Sequence, residues 1–213
     1  MGTSLPYQIP LFPLPSTVLF PEIPLPLHIF EPRYRAMTAA ALAGEKLIGM
    51  MLLKPGHEAE YEASPPLYDV GCAGIIHKSE LLPDGRYNIM LMGMRRFRLL
   101  GEVSGEPYRV GEIEYLPEER ETTGVTTRLR GDLMEHLRYL AKKFGSAGDL
   151  PPEPPEGISD YEFVNFVSHV IDISPLEKQA LLEEHGVEAR YRKLIDMLSF
   201  WRLGRERGMG PTQ

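Results

Sequence analysis

The sequence is poor in the residues that usually carry redox chemistry, metal binding or catalysis. Its 213 residues include a single cysteine, Cys72, so the chain can form neither an internal disulfide nor a CxxC zinc site. No Gly-Lys dipeptide occurs, which excludes a Walker A loop, and the HExxH, GxGxxG and GxSxG patterns are also missing. None of the six histidines lies three or four residues from another, which excludes a pair of metal ligands on one helical face. We therefore expect a non-enzymatic protein with no cofactor and no metal.

Charge and hydropathy argue against two further classes. Lys and Arg number 23 against 30 Asp and Glu, a net charge of -7, whereas general nucleic-acid binders have a basic excess. The most apolar stretch, residues 9–30, contains six prolines and Glu22 and cannot form a membrane-spanning helix. No Lys or Arg precedes Arg33, so we expect no signal peptide. These features predict a cytoplasmic protein of bacterial type.

The periodicity of apolar residues changes near Pro117, from mostly two to mostly 3.6. We therefore expect a β-barrel subdomain over residues 1–117 and a helical bundle over residues 118–213, an α+β fold. About six short strands and one helix, which begins at Pro32 and ends at Gly44, favour a partly closed barrel. The predicted strands span residues 7–12, 25–29, 46–53, 69–77, 87–103 with a break at Gly93, and 108–116.

The helical half has clear start signals. Ser159 to Glu162 and Ser174 to Glu177 are capping boxes, in which the serine and glutamate side chains bond to each other's backbone N–H groups. Apolar residues recur at helical spacing from Val125 to Phe144 and again after each box. The proline-rich residues 150–157 predict an extended spacer between helices.

Glycine and proline predict three local features of the barrel half. The sequence Pro83-Asp84-Gly85 is typical of a hairpin turn, because proline presets φ and glycine accepts a positive φ. Gly93 is expected to break the following strand. A change of phase at Gly111 predicts a β-bulge there.

Two segments place charge beside apolar residues and are the candidate contact sites. The first runs from His28 to Tyr34, and its Glu31-Pro32 pair suits a helix start, either as a structural clamp or as a ligand contact. In the second, residues 93–98, alternation places Phe97 and Arg95 on one face. Arg96 and Arg98 then form a small basic stripe on the other face, which either pairs with acidic side chains or binds a ligand.

Two longer strings resemble a known family. Residues 9–37, IPLFPLPSTVLFPEIPLPLHIFEPRYRAM, are similar to the opening of the N-terminal domain of ATP-dependent Lon protease. Residues 70–100, which contain the PDGR turn and a G-x-x-R-F strand, resemble the second motif block of that domain. The resemblance implies a PUA-like β pseudobarrel followed by a helical bundle, and a role in holding substrate polypeptides. The ATPase and Ser-Lys protease modules of Lon are absent from the 213 residues, so we expect a stand-alone binding domain and not a protease.

The resemblance and the residues together give one main expectation and two alternatives. The main expectation is a binding module for unfolded or extended polypeptides, with a separate ATPase or protease as a further candidate partner. A bound segment would add to an exposed strand edge or lie in an apolar groove. The candidate contacts are Phe30, Arg33, Tyr34, Met37, Arg96 and Arg98, and the structural motif residues are Glu31, Pro32, Asp84, Gly85, Gly93 and Phe97.

The first alternative is an RNA-binding module, because PUA-like barrels often serve RNA. Only the stripe of Arg95, Arg96 and Arg98 favours it, and the net charge of -7 opposes it. The second alternative is a small-molecule enzyme whose groups come from distant loops. A pocket with His28 or His77 next to a carboxylate would favour that alternative.

Overall fold

A computed structural model describes residues 5–56, 64–103, 107–144 and 157–206. The chain forms two compact units, Met1–Pro117 and Glu118–Gln213. Among the described residues the first unit contains six strands and one helix, and the second contains four helices. The strands are β1 (Gln8–Leu14), β2 (Pro24–Ile29), β3 (Leu47–Leu52), β4 (Val70–Leu81), β5 (Tyr87–Val103) and β6 (Val110–Tyr115). The helices are α1 (Pro32–Ala43), α2 (Gly124–Phe144), α3 (Asp160–Val170), α4 (Pro175–Glu183) and α5 (Gly186–Glu206).

The six strands form one sheet in the order β2-β5-β4-β3-β1-β6. Only β1 and β3 are parallel, and the other pairs are antiparallel. Because β6 also pairs with the second half of β5, the sheet closes on itself and leaves β2 as an edge strand. The expected α+β fold with a pseudobarrel is confirmed. The strands are not all short, since β4 has 12 residues and β5 has 17.

The inside of the pseudobarrel is a cluster of buried side chains from five of its strands and from the loops beside them. Phe97 of β5, Ile9 and Leu11 of β1, and Ile113 of β6 belong to it, and Phe97 is fully buried. Burying a large apolar side chain contributes about 1.5–3 kcal/mol, so this cluster stabilises the closed sheet. The rest of the cluster is Leu47, Met51, Leu53, Leu67 and Ala73.

Two local predictions in the barrel half are wrong. Gly93 does not break its strand, because β5 continues through it to Val103. The strand β6 is regular at Gly111, and the irregularity lies opposite it, between Leu99 and Gly101 of β5. Gly111 and Ile113 are both buried and lie on the same, inward face of β6. A side chain at position 111 would meet Leu11 and Leu99. The apparent phase change therefore reflects packing against neighbouring side chains.

The predicted helix starts of the second unit are confirmed. Ser159 and Ser174 each accept a hydrogen bond from the backbone N–H three residues on, and Glu162 and Glu177 complete both capping boxes. The buried stripe of α2 comprises Leu129, Leu133 and Leu137, whereas Val125 is 36% exposed. The proline-rich spacer, Gly145 and the side chain of Phe144 lie outside the described residues.

A buried arginine joins three helices of the second unit. Arg190 of α5 is fully buried, and its Nη1 donates to Asn165 Oδ1 on α3. Its Nε donates to the carbonyl oxygen of Leu181 at 3.0 Å, and its Nη2 donates to that of Glu184 at 3.4 Å. Both carbonyls lie at the end of α4, so Arg190 links this end of α4 to α5 and to α3.

Candidate functional site

An open apolar pocket of about 340 Å³ lies between β1, β2 and the start of α1. Its volume is at the low end for ligand pockets, which suits one or two large side chains more than a whole domain. Among the lining residues His28, Glu31 and Tyr34 carry polar groups, and the others have apolar side chains. The lining residues are Phe12, Leu14, Pro15, Leu27, His28, Ile29, Phe30, Glu31, Tyr34 and Leu53.

The start of α1 is fixed against this pocket by contacts within a few residues. Pro32 occupies the first helical turn, where its missing N–H leaves no bond unmade. The Tyr34 ring packs on Phe12 of β1 with ring centroids 4.4 Å apart. Arg33 donates from Nε to Glu31 Oε2 at 3.0 Å, and its guanidinium lies 4.6 Å from the Tyr34 ring centroid. Glu31 and Pro32 thus lie where the pocket meets the start of α1.

Phe30 forms the exposed rim of the pocket. Its side chain is 59% exposed, although it lines the pocket wall. The His28 ring lies roughly parallel to it, with ring centroids 6.3 Å apart. Exposed large aromatic side chains at the edge of a concave surface are typical of contact sites, because burying them against a partner is favourable.

A second apolar surface lies on the outer face of the sheet formed by β2, β5 and β4. In register, Pro24 lies beside Met92, and Met92 lies beside Ile75. The next row contains Pro26 and Met90. Side chains of paired residues share one sheet face, so these five apolar residues form a patch, called here the proline–methionine face. The exposed Lys78 of β4, the partner of Met90, borders the patch. Pro24, Pro26 and Ile75 are exposed, and the two methionines are half-buried.

A polar row closes the proline–methionine face at one end. His28 Nδ1 and Asn88 Oδ1 are 2.7 Å apart, and Asn88 Nδ2 donates to Glu80 Oε2 at 3.1 Å. Arg86 Nη1 lies 3.2 Å from His28 Nε2 and links the row to the β4–β5 turn. An apolar centre with a hydrogen-bonded polar edge is the usual anatomy of a protein-binding surface.

The β4–β5 turn and Gly93 are structural features of this part of the sheet. Gly85 has a φ of +80°, and Asp84 accepts from the backbone N–H of Arg86 at 3.1 Å. The Arg86 guanidinium, which donates to Asp84, lowers the pKa of that carboxyl below its usual range. The backbone of Gly93 bonds to that of Glu22 and Ile23, which ties β5 to the start of β2.

The structure places the candidate contacts in different environments. Phe30 and Tyr34 line the pocket, and Arg33 lies beside it with a half-buried side chain. Met37 is fully buried, so the expectation that it contacts a ligand is wrong: it faces the interior and has no accessible surface. Arg98 is exposed on β5 but is not part of the pocket wall.

The expected basic stripe does not form. Arg96 is fully buried and donates from Nη2 to the Pro117 carbonyl oxygen at 3.3 Å, so the expectation that it reaches a ligand is wrong. Arg95 donates to the carbonyl oxygen of Leu116 at 3.0 Å and is half-buried near the Tyr115 ring. Arg98 is thus the exposed member of the three, which removes the feature that favoured RNA.

Apolar side chains form most of the pocket wall and of the proline–methionine face. Among the described residues, no three His, Cys, Asp or Glu side chains lie together as metal ligands. Cys72 is buried and its thiol contacts the Ala73 carbonyl. No helix in the described part of the chain is long and apolar enough to cross a membrane.

Sequence reasoning missed most of the pocket and most of the face. Phe12 and Leu14 come from β1, Leu27 comes from β2 and Leu53 follows β3, and no local pattern marks these three segments as neighbours. One signal was present for the face. Prolines at alternate positions of one strand and methionines at alternate positions of another each indicate a shared face.

Comparisons with known proteins identify relatives over most of the chain. The family model described as the ATP-dependent protease La (LON) substrate-binding domain matches residues 8–199. Lon protease of Flavobacterium johnsoniae is 30% identical over 192 residues, which cover 87% of this chain and 23% of that protein. Lon protease of Dictyoglomus thermophilum is 28% identical over 203 residues, which cover 92% of this chain and 24% of that protein. The chain therefore spans about a quarter of the length of these relatives.

Two solved structures share the fold. The N-terminal domain of a Mycobacterium avium complex Lon protease aligns with a TM-score of 0.65 and 19% identity, over 90% of this chain and 98% of that one. A Lon N-terminal domain protein from Xanthomonas campestris aligns with a TM-score of 0.62 and 21% identity, over 91% and 98%.

Proposed function

Because the chain belongs to the family of the Lon substrate-binding domain, we propose that it binds polypeptide segments without altering them chemically. The observation that carries the proposal is the apolar pocket of about 340 Å³ with Phe30 exposed at its rim. Unfolded proteins expose large apolar side chains, and a pocket of this size and lining accommodates them. The contact residues we propose are Phe30 and Tyr34 in the pocket, with Arg33 beside them.

The proline–methionine face offers a second apolar contact surface, on the opposite face of β2 from Leu27 and Ile29 of the pocket. Pocket and face both involve β2, whose Leu27 and Ile29 line the pocket while Pro24 and Pro26 lie on the face. Methionine side chains are flexible and polarizable, so Met90 and Met92 can adapt to segments of different sequence. A surface of this kind supports broad selection of apolar segments with modest affinity for each.

The charge around the pocket supports binding by apolar contact. Glu31 and Arg33 neutralise each other at its edge, and Asp84 and Arg86 do so at the β4–β5 turn. A surface with paired charges neither attracts nor repels segments of one sign, which agrees with a partner chosen by its apolar side chains.

The test is a titration of the chain with an unfolded model protein, reduced and carboxymethylated α-lactalbumin, followed by isothermal calorimetry. The wild type is expected to bind, and Phe30→Ala to weaken binding about tenfold, because an aromatic anchor is lost. Phe200→Ala is the matched control, since Phe200 is 76% exposed on α5 of the other unit. The proposal fails if the wild type binds no unfolded protein, or if the two variants lose affinity equally.

A further inference from the structure

The outer edge of β2 faces no other strand among the described residues, so its free backbone groups decide whether another strand can pair there. In an antiparallel pair, residues alternate between those that bond to the neighbouring strand and those that point away. Both backbone groups of Gly93 on β5 bond towards the β2 side, to Glu22 and Ile23. Residues at even steps from Gly93 along β5, namely Leu91, Ile89 and Tyr87, therefore bond to their partners on β2.

The partners of these three residues are Leu25, Leu27 and Ile29. The intervening residues of β2, at positions 24, 26 and 28, direct their backbone groups away from the sheet. Two of those three are prolines, which have no N–H group. The free edge of β2 thus offers three carbonyl acceptors but a single donor, the N–H of His28.

Strands β2, β5 and β4 are neighbours in the sheet, and the outer edge of β4 is also unsuited to pairing. β3 pairs with β4 from Cys72 to Ile75, and the Ile76 N–H donates to the Lys46 carbonyl oxygen at 2.8 Å. Beyond Ile76, no strand in the described part of the chain pairs with this edge of β4. A bulge between Ile76 and Lys78 interrupts this edge, and Lys78 and Glu80 place charged side chains along it. Bulges, charges and prolines are the features by which proteins keep sheet edges from pairing with other chains.

We propose that Pro24 and Pro26 close the β2 edge to strand addition, so that a bound polypeptide is held through its side chains and not through its backbone. The closure of the β2 edge stands independently, whereas the binding of a polypeptide through its side chains rests on the proposed function. If the β2 edge is closed, a bound polypeptide contacts the pocket and the proline–methionine face and does not add a strand to the sheet. This mode of binding also defines the partner: any unfolded segment with large apolar side chains qualifies, including one whose backbone cannot form a β-ladder.

The closure of the β2 edge is tested without a ligand, by sedimentation equilibrium of the Pro24→Thr/Pro26→Thr double variant over a range of concentrations. Threonine restores the two outward N–H groups and favours strands, so the variant is expected to self-associate more strongly than the wild type. Pro66→Thr, at an exposed proline outside the strands, is the control and should match the wild type. A double variant that sediments like the wild type at all concentrations overturns the proposal.

Binding through side chains is tested with a synthetic peptide of alternating leucine, phenylalanine and serine residues. The peptide is made with and without N-methyl groups on alternate residues. The dissociation constants of the wild type for the two forms should agree within about a factor of two, because its contacts are with side chains. The double variant should prefer the unmethylated form. Weakening of wild-type binding by about tenfold on methylation contradicts the proposal, whereas failure to bind either form sinks the proposed function instead.

Discussion

Gly93 of β5 lies so close to the carbonyl oxygen of Phe20 that a Cβ atom at position 93 would overlap with it. The Gly93 N–H donates to the Ile23 carbonyl at 3.0 Å, and the Gly93 carbonyl accepts from the Glu22 N–H at 2.9 Å. Glycine is thus required here for close approach of two backbone segments, with the strand continuing through it. This contact holds the start of β2, and therefore both parts of the proposed binding surface, against β5.

Gly93→Ala is expected to destabilise the barrel unit by about 1–3 kcal/mol, because the added methyl group must push the Phe20 backbone aside. Gly101→Ala on the same strand is the matched control, since a side chain there has open space within 4 Å. Thermal unfolding followed by circular dichroism should show a lower Tm for Gly93→Ala alone. Equal Tm values for the two variants would show that the close approach does not limit stability.

Gly85→Val combined with Asp84→Ala is expected to disrupt the β4–β5 turn. Gly85 has a φ of +80°, a Cβ atom there would meet the Arg35 guanidinium, and Asp84 bonds to Arg86. A β-branched residue resists positive φ, so a loss of about 1–3 kcal/mol is expected in urea denaturation. Gly101→Val is the control and should change stability little, because Gly101 has no positive φ and a side chain there has open space. Unchanged stability of the double variant would refute this role for the turn.

Arg190→Met is expected to destabilise the helical unit by about 2–4 kcal/mol. The change leaves Asn165 Oδ1 and the carbonyls at the end of α4 without their buried donor. Arg192→Met, two residues further along α5, removes an exposed ion pair with Glu188 and should cost about 0.5 kcal/mol or less. Urea unfolding followed by the fluorescence of Trp201, the sole tryptophan, reports on this unit. Similar losses in both variants would contradict the junction role of Arg190.

Stability of the helical unit should depend on His169 below neutral pH. Burial, and then the nearby Lys178 charge, lower the pKa of His169 from its ordinary value of 6.5. The unfolded chain therefore takes up a proton at higher pH than the folded unit does, so the unfolding free energy falls as pH drops below about 6.5 and continues to fall until the folded-state pKa is passed. His169→Gln should flatten this part of the pH profile in Trp201-monitored urea unfolding. A variant profile that keeps the full wild-type slope would exclude His169 as its source.

Local features of the fold could be predicted from the sequence, because they depend on residues a few positions apart. The capping boxes at Ser159 and Ser174 are of this kind, since each serine and its glutamate are three residues apart and bond directly to each other's backbone. The start of α1 at Pro32 follows equally from the fixed φ of proline. In each case one short string contains both partners of the stabilising contact.

Features that depend on distant contacts could not be predicted in this way. Alternation correctly separates Arg96 from Phe97, yet the sequence did not show that both side chains would be fully buried. The sequence predicts a break at Gly93 and a bulge at Gly111, although the space at each glycine is limited by a neighbour from another strand or loop. The pocket also depends on distant contacts, because Phe12, Phe30 and Leu53 lie on its wall but are far apart in the chain.

The most direct test of polypeptide binding at this surface is methyl NMR of the chain with 13C-labelled methionine during titration with carboxymethylated α-lactalbumin. Met90 and Met92 lie half-buried on the proline–methionine face, whereas Met134 and Met197 are half-buried in the helical unit and serve as matched reporters. Binding at this surface is expected to shift or broaden the Met90 and Met92 resonances and to leave those of Met134 and Met197 unchanged. Perturbation of Met134 and Met197 alone, or of no methionine at saturating polypeptide, would contradict it.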